Sequence, residues 1–86
     1  MTLENLKPGL FYSNGAYGRT WGVRQLSAIR VDTESGETVV EFKGVAGTCR
    51  RKKGQCSQAE FARWAKYQVE LLENDWKRVV EPGDGV

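Results

Sequence analysis

Four consecutive cations, Arg50, Arg51, Lys52 and Lys53, are the densest chemistry-bearing feature of this 86-residue chain. Between Lys43 and Lys66 they join Lys43, Arg63 and Lys66 to make seven basic residues against one acid, Glu60, a local balance of +6. The whole chain carries +2, so the remainder carries −4. Such asymmetry concentrates an attractive potential for polyanions, whose phosphates release condensed counterions when they meet fixed cations. The candidate contacts for a nucleic-acid backbone are Arg50, Arg51, Lys52 and Lys53 on a hairpin tip, with Arg63 and Lys66 widening the patch. Two other readings stay open. One is an acidic protein partner; the other is a solvated loop that promotes solubility and discourages edge pairing.

Exposed aromatic rings beside those cations would add stacking surfaces for bases. The chain has three Trp, three Tyr and three Phe. A domain of this size buries only about 60 to 65% of its unfolded surface, so its core needs nearly every large apolar side chain. Phe and Trp have the stronger reason to be inside, which leaves Tyr12, Tyr17 and Tyr67 as candidates for exposure. A tyrosine beside a glycine-rich turn also serves as a partly buried lid on a barrel. An apolar patch near Phe11, Tyr12, Tyr17 or Trp76 is the matching candidate for binding a protein partner or a second copy of the chain.

Catalysis is poorly provided for. The sequence has no histidine, so the commonest general base and the commonest metal ligand are both missing. Ser13, Ser27, Ser35 and Ser57 therefore lack an imidazole to activate them, and Ser57 already reads as a helix cap. Asp32, Glu34, Glu37 and Glu41 cluster around one turn, as acids on a solvent-facing hairpin ordinarily do. Gly15, Gly18 and Gly22 do not have phosphate-loop spacing. Cys49 and Cys56 are two thiols where a zinc site needs four Cys or His ligands. They read as small buried residues, with a redox-sensitive bridge as the alternative and neighbouring cations expected to lower a thiol pKa. The expectation is a non-catalytic protein with no cofactor and no metal.

The hydrophobic fraction is 40% and the charged fraction 28%, the balance of a globular chain. No apolar run approaches the roughly 20 residues of a membrane-spanning helix, and Met1-Thr-Leu-Glu-Asn-Leu lacks the plan of a secretory signal. A cytoplasmic location away from membranes is expected, with one domain over residues 1–80 and a loose tail over 81–86.

The elements that must position these residues follow from periodicity and turn chemistry. Leu10 to Tyr12 reads as a short strand ending at Ser13-Asn14-Gly15. Residues 16–20 fit either a returning strand or an irregular loop. Trp21 to Asp32 alternates as a long strand, with Leu26 out of phase, so a bulge is expected near Gln25 to Ser27. Thr38 to Val45 reads as the next strand, Val40 and Phe42 inward, Glu41 and Lys43 outward. Ser57-Gln58-Ala59-Glu60 matches a capping box, and Phe61, Trp64, Ala65, Val69, Leu72 and Trp76 follow helical spacing, predicting a helix from about Gln58 to Glu73. Trp76 to Val80 reads as a closing strand. The fold class is α+β: a bent antiparallel sheet with one C-terminal helix packed across one open end.

The order Lys7-Pro8-Gly9, Trp21-Gly22-Val23, Ile29 and Glu37-Thr38-Val39-Val40-Glu41-Phe42-Lys43-Gly44 resembles the opening of SH3-like barrels of the Tudor and KOW type. There a Gly precedes the first strand, a Trp opens the second and a V-x-F run closes the third. The match covers roughly half the chain and implies an SH3-like partial barrel. Tudor-type readers use an aromatic cage for methylated side chains. Here only Trp21 and Phe42 stand at comparable places and Gly44 replaces the expected aromatic, which argues against methyl-lysine or methyl-arginine reading. Ala59-Glu60-Phe61-Ala62-Arg63-Trp64-Ala65 also resembles the helix of small uncharacterised bacterial proteins of the kind carried on mobile elements, a resemblance that implies no activity.

Overall fold

In the computed structural model, which describes residues 3–79, the chain runs through β1 (Phe11–Ser13), β2 (Gly22–Val31), β3 (Thr38–Gly47), β4 (Lys53–Ser57), α1 (Gln58–Trp64), β5 (Tyr67–Leu72) and β6 (Asp75–Arg78). Short 3-10 turns at Leu3–Asn5 and Gly18–Thr20 flank the first strand. The six strands form one antiparallel sheet in the order β4-β3-β2-β1-β5-β6, open at β4 and β6. The fold is thus α+β, a single open sheet with one helix.

Two irregularities shape the sheet. The β2–β3 register shifts between Leu26 and Ala28, where the out-of-phase Leu26 predicts a bulge, and again between Val23 and Arg24. An extra residue bends its strand and reverses the alternation beyond it. Leu26 and Ile29 therefore both serve the core under the helix, although strict alternation would put them on opposite faces.

The helix is shorter than its periodicity predicts, and it is not C-terminal. Ser57 caps it as expected, its Oγ accepting from Glu60 N at 3.1 Å. It stops at Trp64, with Ala65 already extended, and residues 67–72 form β5 instead. That stretch carries two periods at once: Tyr67, Val69 and Leu71 also alternate as a strand. Pairing decides between them, because β5 supplies β1 with its second neighbour through Phe11 and Val69, Tyr12 and Gln68, and Ser13 and Tyr67. A helical 67–72 would leave β1 as an unpaired edge. The closing strand ends at Arg78; Val80 and the expected tail over 81–86 lie outside the described residues.

The core has two parts. Under the helix, Leu6, Tyr12, Leu26, Val40, Phe61, Ala62 and Ala65 are buried, with Leu10, Ile29, Phe42, Cys56 and Trp64 packed around them. Phe61 is the hub: the rings of Tyr12, Phe42 and Trp64 each lie 5.7 Å from it. Across the sheet, buried Val23, Ala46 and Val69 are covered by Phe11, Trp21, Val45, Tyr67 and Trp76. Tyr12, a candidate for exposure, is instead fully buried, because its hydroxyl donates to Asn5 O at 2.6 Å and accepts from Lys7 N at 2.9 Å. A buried phenol is tolerated when both roles of its hydroxyl are filled.

Candidate functional site

The ladder registers place the ends of the strands. Ser13, Gly22, Gly47, Lys53, Tyr67 and Arg78 lie towards one end of the sheet, and Val31, Thr38, Ser57, Leu72 and Asp75 towards the other. The charges of the loops and turns divide the same way, while Arg30, on β2 near the second end, is ion-paired with Glu41. Asp32, Glu34 and Glu37 occupy the β2–β3 turn, Glu73 the β5–β6 turn and Asp75 the first position of β6, all at the second end. The first end holds the loop 14–21 with Arg19, the loop 48–52 with Arg50, Arg51 and Lys52, and the helix exit with Arg63 and Lys66, without an acid in any of the three.

The basic loop does not project as a ribbon. It folds back onto the sheet: Arg50 N donates to Gly47 O, Lys52 N to Cys49 O, Arg51 N to Gly44 O, and Gly44 N to Lys52 O. Cys49 is buried beneath it against Gly22 and Gly44. A Cβ at Gly22 would stand 2.5 Å from Cys49 Sγ, and one at Gly44 would overlap the Cys49 carbonyl, so the loop seats only where side chains are missing. Arg51 takes a positive φ of 66° to complete the turn. Lys53 belongs to β4 rather than to the tip. Arg50, Arg51, Lys52 and Lys53 all remain exposed.

Arg63 and Lys66 reach this end because α1 starts after Ser57, at the acidic end, and runs back along the sheet. Lys66 N donates to Ser13 O at 2.8 Å, its side chain lies against Gly15, and its Nζ donates to Arg63 O at 3.1 Å. Part of its charge therefore serves the carbonyl end of the helix, where a cation is favoured. Among the described residues, ion pairs join Arg30 to Glu41 and Lys77 to Asp75; none of Arg50, Arg51, Lys52, Lys53, Arg63 and Lys66 takes part.

On the face away from the helix, one row crosses all six strands: Lys53, Lys43, Gln25, Phe11, Val69 and Arg78 are paired neighbour to neighbour. Beside its Lys43–Lys53 end lies an open groove of about 570 Å³ lined by Ser27, Glu41, Phe42, Lys43, Lys53, Gly54 and Gln55. At its other end the Arg78 guanidinium covers the Tyr67 ring at 4.9 Å, so Tyr67 is only half-exposed. Phe11 and Trp76 pack on each other at 5.1 Å. Tyr17 stands apart: it is 91% exposed, in the loop between β1 and β2.

No protein-family model matches the chain, and comparison with curated proteins and with solved structures found no match.

Arg24 is a member that sequence reasoning missed. Its guanidinium lies 4.3 Å from the Phe42 ring and 4.2 Å from the Trp64 ring, held by cation–π attraction rather than by a carboxylate. An Arg at an alternating strand position gives no sequence signal of this; the aromatic partners come from β3 and α1. The cysteines are unbridged, Cys49 buried and Cys56 half-buried, and the expected lowering of a thiol pKa is reversed at Cys56. Burial, reinforced by Glu60, pushes the Cys56 thiol up, with Arg24 opposing only in part. Among the described residues, no cluster of three or more His, Cys, Asp or Glu could hold a metal, and no helix is long and apolar enough to cross a membrane.

Proposed function

We propose that this protein is a non-catalytic binding module that grips nucleic-acid phosphates with the cationic end of its sheet. The observation that carries the reading is the segregation of charge along the strands: Arg50, Arg51, Lys52, Lys53, Arg63 and Lys66 share one end, and the acidic turns face away at the other. Desolvated or internally paired cations would have nothing left to offer; these are exposed and, among the described residues, without carboxylate partners. The SH3-like partial barrel belongs to the same proposal. Its support is the return of β5 to β1 and the two bulges in the β2–β3 ladder, both of which bend a sheet towards closure.

The test is a fluorescence-anisotropy titration of labelled DNA and RNA oligonucleotides at several salt concentrations. If all six cations meet phosphates, log affinity falls with log salt with a slope of about −4 on a single strand and about −5 on a duplex. Reversing Arg50, Arg51, Lys52 and Lys53 together to Glu abolishes retention. A wild-type protein that retains no oligonucleotide at low salt overturns the reading.

A protein partner is the second reading. Leu71 is 53% exposed and pairs directly with Trp76 on β6, which leaves an apolar strip beside an open strand edge. Concentration-dependent light scattering would detect self-association through it.

A further inference from the structure

We infer that Tyr17 is a base-stacking residue and that the nucleic acid this module takes is single-stranded. The inference rests on the phosphate-binding reading above and adds the part of the ligand that reading leaves open.

Nine aromatic rings serve an 86-residue chain, and eight of them are buried or half-buried. Tyr17 alone is left in water, at 91% exposure. A domain this small leaves a large ring in water at a cost to its own core. The loop backbone that presents the ring is held in place. Asn14 closes the loop that carries it, its side chain accepting from Ala16 N and Gly22 N and donating to Thr20 O, while Thr20 Oγ1 donates to Tyr17 O at 3.1 Å.

Its surroundings specify the partner. Arg19 is exposed two residues on, and Gly15, two residues before, lies against the side chain of Lys66. The loop sits at the cationic end of the sheet, where Lys66 N is hydrogen-bonded to Ser13 O at the foot of the same loop. An apolar protein surface would meet Arg19 and Lys66 beside this loop, whereas a polynucleotide presents a flat π-face and a phosphate in every repeat. Stacking on one ring is indifferent to base identity, and it requires an unstacked base. In a duplex both faces of each internal base are already covered, so the ring discriminates by strandedness.

The experiment compares wild type, Tyr17→Ala, Tyr17→Phe and the Arg50–Lys53 reversal on a labelled thymidine oligonucleotide and on its duplex with the complementary strand. Wild type binds the single strand more tightly. Tyr17→Ala loses about tenfold on the single strand, keeps its duplex affinity and keeps its salt slope; Tyr17→Phe, with the ring intact, binds as wild type. Thermal unfolding of Tyr17→Ala at the wild-type midpoint confirms that the loss is one of contact. If Tyr17→Ala holds the single strand like wild type while the reversal releases it, stacking is wrong and the phosphate reading survives. If wild type binds neither oligonucleotide, both fall.

Discussion

Lys43 stands directly across from Lys53 in the β3–β4 ladder, on the sheet face away from the helix, and neither has an ion-pair partner among the described residues. Like charges facing each other across an antiparallel pair destabilise it, here at the edge strand of the sheet. The same two ammonium groups flank the open groove, where a bound phosphate would neutralise them together.

Replacing Lys53 by Glu should therefore raise the unfolding free energy by about 0.5 kcal/mol while weakening oligonucleotide retention. Urea denaturation at low salt, read beside the anisotropy titration, checks both. Added salt should narrow the stability difference by screening the repulsion. A Glu variant less stable than wild type would show that the pair is not strained.

Arg24 makes a different prediction, because its guanidinium binds rings rather than a carboxylate. Arg24→Ala should lose about 1 kcal/mol of stability; Arg24→Lys should lose part of that, because it keeps the charge over the rings but not the planar guanidinium that stacks on them. Tryptophan emission, to which Trp64 contributes beside Trp21 and Trp76, should shift in the Ala variant before any unfolding, and should not shift in an Arg24→Ala variant that also carries Trp64→Phe.

The basic loop should be sensitive to one methyl group. Gly44→Ala places a Cβ on the Cys49 carbonyl, and the strand cannot yield without losing the Arg51 N to Gly44 O bond. A cost of about 1–3 kcal/mol is expected, as for other overpacked sites. Cys49, buried at 5% exposure in the wild type, should then react with an aromatic disulfide reagent under native conditions. Unchanged Cys49 protection in Gly44→Ala would mean that the loop is not seated by the absent side chain.

Alkaline pH should loosen the helix-side core. Burial raises Tyr12 above 10.0 and Cys56 above 9.0, their ordinary values, so the folded state holds both protons more tightly than the unfolded chain. For groups raised in this direction, the stabilisation is complete below the ordinary values and is lost as pH climbs through the folded ones. Unfolding midpoints in urea should fall from about pH 9 upward, and Cys56→Ser should remove the earlier part of the fall. At neutral pH the Cys56 thiol should alkylate slowly despite its cationic neighbours.

Most of the local elements were legible in the chain. Alternation placed β2 and β3, the phase slip at Leu26 placed the bulge, and Ser57-Gln58-Ala59-Glu60 placed the helix start. The helix end was not, because 65–72 satisfies both a 3.6-residue and a 2-residue period, and only the empty side of β1 favours the strand. Tyr12 was misplaced for a related reason. Its two hydrogen-bond partners, Asn5 and Lys7, lie in a turn whose position depends on the helix packing over it.

Charge density is a property of composition along the chain, and a reader of the residues could count the cations of 43–66 and the missing histidines without any coordinates. Where those cations point is set by antiparallel pairing, which folds distant segments into register. Arg19, Arg24 and Arg78, from outside the counted stretch, are thereby brought towards the same end as Arg50 to Lys53, and the acidic turns are carried to the other. Local periodicity fixes which face a residue takes within its strand; only long-range strand pairing decides which residues of other strands it meets there.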